Sequence, residues 1–219
     1  MRLTIYGRST VIKALVVTLA LDVTALLIPN EIAKTILLAL SVILISFTLY
    51  FFRDPVRQIP ADLKPGDVLS PADGRVMMIE DVEENEFLKA PAKVIGIFLS
   101  PLNVHVNRVP ISGTVKLYQY IKGEFIAAYD HKSADKNERT VIGIEGKRFK
   151  VLFKQITGFV ARRIVCELRV GDKVSIGEKF GMIKFGSRTD VILPRNSNIK
   201  VSVNQKVTGG ITLLAEVPE

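Results

Sequence analysis

The sequence predicts a mainly β protein that carries an N-terminal α-helical membrane hairpin, and three observations predict it. Residues 35–52, TILLALSVILISFTLYFF, contain no charge. From Arg53 onward the apolar positions fall into short alternating runs bounded by Gly, Pro, Asp and Asn, the period-two pattern of half-buried strands. Within that second region a short phrase recurs as PADGRV at 71–76, PISGTV at 110–115 and QITGFV at 155–160, each time setting a turn glycine ahead of valine.

The front of the chain reads as two apolar helices. As a helix, residues 35–52 rise about 27 Å, close to the thickness of a bilayer core. The preceding run, 14–28, is shorter and is interrupted by Asp22, and Pro29-Asn30 breaks the chain between the two. Arg2, Arg8 and Lys13 precede the pair and Arg53 and Arg57 follow it. By the positive-inside bias both flanks, and with them the rest of the chain, belong on the cytoplasmic side of the cell membrane. Helices lying in one leaflet stay open as an alternative, because Asp22 is costly at mid-bilayer. A cleaved signal peptide fits less well, since no A-x-A site precedes the second run. Residues 1–52 are therefore the expected hairpin and 53–219 the expected β-rich domain.

In that domain, GDVLSP near residue 66 and GDKVSIGEKFG near residue 171 resemble the hairpins of lipoyl- and biotinyl-type domains, so an antiparallel barrel-sandwich is the expected architecture. The polar segment 130–140, DHKSADKNERT, reads as a long loop of the kind that covers active sites. The chain has a net charge of +8, which beside apolar helices suits an anionic membrane surface. With no Trp and no aromatic-rich basic stripe, nucleic acid is not an expected partner. One cysteine, Cys166, excludes an internal disulfide, and with only two histidines the composition argues against a structural metal site.

Three polar positions combine into a chemistry. Asp73 lies in SPADG, His105 alternates with Val104 and Val106 in PLNVHVNR, and Ser187 follows Gly186 in KFGSR. Read singly they are a turn acid, an inward strand histidine and a turn serine. Together they supply an acid, a base and a nucleophile. Gly186 leaves its carbonyl unshielded and tolerates strained backbone angles.

The strings SPADG, PLNVHVNR, RVGDKVSIG and EKFGMIKFGSRTDVILP, with FFRDP at 51–55 and NER at 137–139, resemble the phosphatidylserine decarboxylase family in its short bacterial and archaeal form, over essentially the whole chain. The resemblance implies that His105, oriented by Asp73, takes the proton of Ser187, whose oxygen attacks the Gly186 carbonyl. The chain is then cut into a β chain, 1–186, and an α chain, 187–219, that begins with a pyruvoyl group made from Ser187. That covalent cofactor condenses with the amine of a serine phospholipid and accepts electrons as carbon dioxide leaves; His105 is the expected proton donor. Arg139, in NER, and His131 in the same segment are weaker candidates for substrate contacts. The lipid is phosphatidylserine or its ether counterpart archaetidylserine, and the family resemblance is in keeping with a homodimer. Two readings of another class remain: a Ser/His/Asp membrane hydrolase that never cuts itself, which lacks the G-x-S-x-G elbow, and a non-enzymatic lipoyl-like membrane adaptor. A pyruvoyl enzyme acting on a soluble amino acid has no use for the apolar hairpin.

Overall fold

A computed structural model describes residues 2–126, 133–159, 163–184 and 186–218. The chain divides into two compact units, residues 1–56 and 57–219. In the first, α1 (Arg8–Leu27) and α2 (Glu31–Phe51) pack against each other. Pro29-Asn30 ends one helix and starts the next: the Asn30 side chain accepts from the Ala33 amide at 3.0 Å, an N-cap that satisfies one orphan donor of α2. Small or polar residues, Thr18, Ala25, Ser41 and Thr48, are buried, and the two threonine hydroxyls bond back to the Leu15 and Leu44 carbonyls. Large apolar residues such as Leu26, Leu27, Ile32 and Ile43 point outward. Both helices are long and apolar enough to cross a membrane by length and composition.

The second unit is built of antiparallel strands: β1 (Asp67–Leu69), β2 (Gly74–Glu84), β3 (Ala90–Leu99), β4 (Val106–Arg108), β5 (Gly113–Ile121), then the short α3 (Ser133–Lys136), β6 (Arg139–Glu145), β7 (Lys150–Ile156), β8 (Arg163–Cys166), β9 (Lys173–Val174), β10 (Lys179–Lys184), β11 (Ser187–Pro194), β12 (Asn198–Ile199), β13 (Lys206–Val207) and β14 (Leu213–Glu216). Eight of them form one curled sheet in the order β13-β2-β3-β11-β7-β6-β5-β9, and two three-stranded sheets, β1-β14-β12 and β4-β10-β8, complete the unit.

The strand orders carry an internal two-fold: exchanging β1 with β4, β2 with β5, β3 with β6, β7 with β11, β8 with β12, β9 with β13 and β10 with β14 reverses the large sheet end for end and swaps the two small ones. The edge of the large sheet where β13 meets β2 has the same construction as the edge where β9 meets β5: Val207 pairs with Gly74 and Val174 with Gly113. At both glycines a Cβ would strike a neighbouring-strand carbonyl, Phe98 O at 2.3 Å or Glu145 O at 2.4 Å. In both strands a register shift follows two residues later, after Val76 and after Val115, as a β-bulge sharpens the local twist. The PADGRV and PISGTV echo is thus a structural repeat. The third copy is not: Gly158 follows the end of β7 instead of opening a strand, and Val160 lies outside the described residues. The expected loop at 130–140 also needs correcting, because Ser133–Lys136 is helical and Arg139 opens β6.

Alternation along β11 separates two environments. Val191 and Leu193 join the main core with Val76, Ile95, Ile97, Ile142 and Phe153 on the inner face, whereas Ile192 packs on the outer face with Met78, Val94, Val141 and Leu152.

Candidate active site

Ser187 is the first residue of β11, opposite Leu99 of β3; on the β7 side the ladder begins one residue later, with Arg188 opposite Ile156. By alternation its side chain shares the inner face with Val191. It is fully buried, and its hydroxyl has no hydrogen-bond partner among the described residues. Gly186, just before the ladder, has φ of +54°, and among the described residues other than its chain neighbours no atom comes within 4 Å of the position a Cβ would take. That backbone is strained for any residue with a side chain.

His105 is fully buried immediately before β4. Its Nδ1 lies 2.9 Å from the Asn103 carbonyl oxygen. A carbonyl only accepts, so Nδ1 carries the proton, and in the neutral ring Nε2 is the basic nitrogen. Asn103 is itself fixed, its side chain accepting from the Ser100 amide and its amide donating to the Ser100 carbonyl. The contact on the ring that the sequence reading assigned to Asp73 is therefore supplied by a backbone carbonyl two residues upstream. The Asp73 carboxylate is engaged elsewhere, with Arg57 at 2.7 Å and the Gly209 amide at 2.8 Å. It ties the turn at 208–210 to the SPADG loop, whose Pro71 carbonyl receives the Arg108 amide of β4.

The NER string divides. Asn137 is a buried clasp: its side chain exchanges hydrogen bonds with the Ile126 backbone and donates to Thr157 O. Arg139 opens β6 in the row Arg139–Ile156–Arg188, at the same end of the sheet as Ser187 but on the outer face, donating to the Asn137 carbonyl at 3.1 Å. His131 lies outside the described residues.

Two features escaped the sequence reading. Arg188, on the outer face, is almost fully buried; its guanidinium contacts Asp190 twice, at 2.6 and 3.0 Å, and Met78 Sδ at 2.9 Å. A cleft of about 400 Å³ opens beside this pair, lined also by Lys154 and Glu84. On the inner face, Thr140, Gln155 and Thr189 form one polar row across β6, β7 and β11. Thr140 donates to Gln155 at 2.8 Å, and Gln155 donates to Asn107 of β4 at 2.9 Å. Asn107 Nδ2 and Thr189 Oγ1, both fully buried, are left without hydrogen-bond partners among the described residues. Each such orphan costs about 1–3 kcal/mol. The only signal in the sequence is a polar residue at an inward position of an otherwise apolar strand, as in VHVN and FKQIT.

Comparison with known proteins bears on this geometry. The family model described as phosphatidylserine decarboxylase matches residues 44–215. A protein of Chlorobium luteolum named "Phosphatidylserine decarboxylase proenzyme" is 45% identical over 213 residues, covering 97% of this chain and 99% of its own. Proteins of the same name from Chlorobium limicola and Chlorobaculum tepidum are 45% and 41% identical, covering 97% and 99% of this chain and 99% and 98% of theirs.

Proposed function

The chain belongs to the phosphatidylserine decarboxylase family, and from that premise we propose that it is a carboxy-lyase converting a serine phospholipid to the ethanolamine phospholipid, after cutting itself between Gly186 and Ser187. The observation that carries the reading is the pairing of a buried, unpartnered Ser187 hydroxyl with a glycine at φ +54° that has open space beside it. A hydroxyl that serves a fold is normally hydrogen-bonded; this one is poised as a nucleophile.

In the proposed cleavage, His105 Nε2 takes the Ser187 proton while the Asn103 carbonyl holds the ring's tautomer. The Ser187 oxygen bonds to the Gly186 carbonyl carbon and the peptide C–N bond breaks, leaving an ester. Loss of the Ser187 α-proton then expels the Gly186 carboxylate and leaves dehydroalanine at 187. Water replaces its nitrogen, which departs as ammonia, giving a β chain 1–186 and an α chain 187–219 that begins with pyruvoyl. Asp73 acts here through position, fastening the SPADG loop that carries β4.

The site fits that group: residue 187 begins a strand, faces inward and has no hydrogen-bond partner for its side-chain atom among the described residues. When present, the pyruvoyl carbonyl supplies the electron sink for loss of carbon dioxide. His105 then returns a proton to the substrate carbon, and the inner face excludes water from it. Arg139, two strands away at the same sheet end, is the candidate for the lipid phosphate, with His131 a second.

What supports the barrel-sandwich reading is the internal two-fold of the strand orders. The helices act as a membrane hairpin: outward leucines and isoleucines around a seam of small and threonine residues suit lipid better than water. With basic flanks inside, the catalytic unit is cytoplasmic, beside an anionic surface. A homodimer is in keeping with the family.

The test uses the purified full chain. Wild type releases carbon dioxide from phosphatidylserine vesicles, separates into two chains on denaturing electrophoresis, and gains a carbonyl-trapping hydroxylamine on the 187–219 piece. Ser187→Ala stays a single 24.3 kDa chain and is inactive. Two chains from Ser187→Ala, or activity without a carbonyl at 187, would refute the proposal.

A further inference from the structure

The polar row on the inner face has a direction. Gln155 Nε2 also faces the Val165 carbonyl, at 3.4 Å, and a carbonyl can only accept. The amide nitrogen of Gln155 therefore points toward β4 and β8, its oxygen accepts from Thr140, and Asn107 must meet it with Oδ1. The relay Thr140–Gln155–Asn107 thus turns the Asn107 NH₂ away from its neighbours, as a donor with nothing to receive it. Thr189, directly opposite Gln155 in the ladder, presents a second unpartnered hydroxyl. Ser187 is the next residue along the same face of β11. Donors held in place, buried and unsatisfied beside a reacting residue form a site for an acceptor.

The chemistry of the site selects the ligand. The donors are neutral, and the cations of β6, β7 and β11 at this end of the sheet, Arg139, Lys154 and Arg188, fall on its opposite face by alternation. Alternate residues on a strand stand about 6.6 Å apart. An α-amino acid spans roughly 3.5 Å from nitrogen to carboxylate oxygen and a hydrogen bond adds about 2.8 Å, so an amine held at residue 187 brings its carboxylate to Thr189.

We propose that Asn107 Nδ2 and Thr189 Oγ1 form the subsite for the departing carboxylate of the serine headgroup, an inference that rests on the decarboxylase reading. Neutral donors suit this duty. In the step they serve, the bond between Cα and the carboxylate breaks, the electron pair stays with the substrate, neutral carbon dioxide leaves and a proton takes its place at Cα. A cation would hold the charged ground state more firmly than the product and raise the barrier; two neutral hydrogen bonds orient the carboxylate and weaken as its charge drains away. The ethanolamine product has no carboxylate and gains nothing from them, so the subsite also favours release.

The test compares substrate and product binding. Purified, cleaved enzyme is treated with borohydride, which reduces the carbonyl and stops turnover, and titrated calorimetrically with short-chain phosphatidylserine and phosphatidylethanolamine. Wild type prefers the serine lipid; Asn107→Leu and Thr189→Val, each still cleaved, each lose that preference by about tenfold, with ethanolamine-lipid binding unchanged. A wild-type preference in either cleaved variant overturns the subsite, and so does failure of both variants to cleave, which would assign the donors to the cutting step. A wild type that carries no carbonyl at 187 overturns the decarboxylase reading itself.

Discussion

Arg188 and Asp190 stand on the same face of β11, buried, and meet twice: Nε to Oδ1 at 2.6 Å and Nη2 to Oδ2 at 3.0 Å. A buried pair of this kind adds little compared with apolar residues of the same volume, but losing one partner strands the other's charge. Asp190→Ala is expected to cost about 3–5 kcal/mol, which for a chain of this size lowers the melting temperature by roughly 10 °C. The double change Arg188→Met with Asp190→Leu should recover most of that loss. Thermal denaturation followed by circular dichroism decides it; a single variant melting within a degree of wild type contradicts the argument.

His105 is assigned the proton transfers, and its ring is held by a backbone carbonyl that substitution cannot remove. His105→Gln keeps comparable volume and polarity without a basic nitrogen. Self-cleavage should slow by about 10² to 10⁴, read as the time course of the two chains after translation in a cell-free system. Cleavage at the wild-type rate would remove His105 from the mechanism.

Glu84 ends β2 and gathers the turn that follows. Its carboxylate accepts from the amides of Glu86, Phe87, Leu88 and Lys89, in a turn where Lys89 has φ of +55°. Burial alone would raise its pKa, but the four amides outweigh it and hold the carboxyl below its ordinary value. A depressed folded-state pKa means stability that is present above the ordinary carboxyl range and lost as pH falls through it. Glu84→Gln should destabilise by about 1–3 kcal/mol at neutral pH, and the gap from wild type should narrow below about pH 4. Urea titrations at pH 7 and pH 3.5 provide the comparison, and a gap independent of pH counts against the assignment.

Burial pushes the Cys166 thiol up to about 11, with the neighbouring Glu167 charge adding to it and a backbone hydrogen bond at Leu168 opposing it. The thiolate is the reactive form, so iodoacetamide should label native protein slowly at pH 8 and label urea-unfolded protein readily. Because the folded pKa lies above the unfolded one, the thiol's contribution to stability is complete below about pH 8.5 and declines as pH rises toward 11. Equal labelling of folded and unfolded chains at pH 8 would show the thiol to be unshielded.

What the sequence disclosed was local. The glycine echo at Gly74 and Gly113 marks strand starts that a side chain would block, and Gly186-Ser187, an ordinary turn pair alone, stands out through the SPADG and PLNVHVNR strings that accompany it. The uncharged run at 35–52 is part of α2. What stayed hidden depends on distant pairing. Nothing near Ser187 announces that β11 lies between β3 and β7, strands that begin at Ala90 and Lys150. Thr140, Gln155 and Thr189 meet only through the ladder, and Asn107 reaches them from another sheet through the Gln155 side chain, so each alone looks like a stray polar residue. Asp73 read as the acid that orients His105 because it joins His105 and Ser187 in the motifs the chain shares with its family; its carboxylate meets Arg57, sixteen residues upstream, and the Gly209 amide.

The placement of β11 away from either edge of its sheet has a consequence for the life of the molecule. Under the proposed cleavage, a reactive carbonyl made from the first residue of an interior strand would be neither loaded nor unloaded. No vitamin would supply it, no dialysis would remove it, and one that had been reduced or aminated could not be swapped for a fresh one. Each chain would be charged once, at birth, and a cell would replace lost activity only by making new protein.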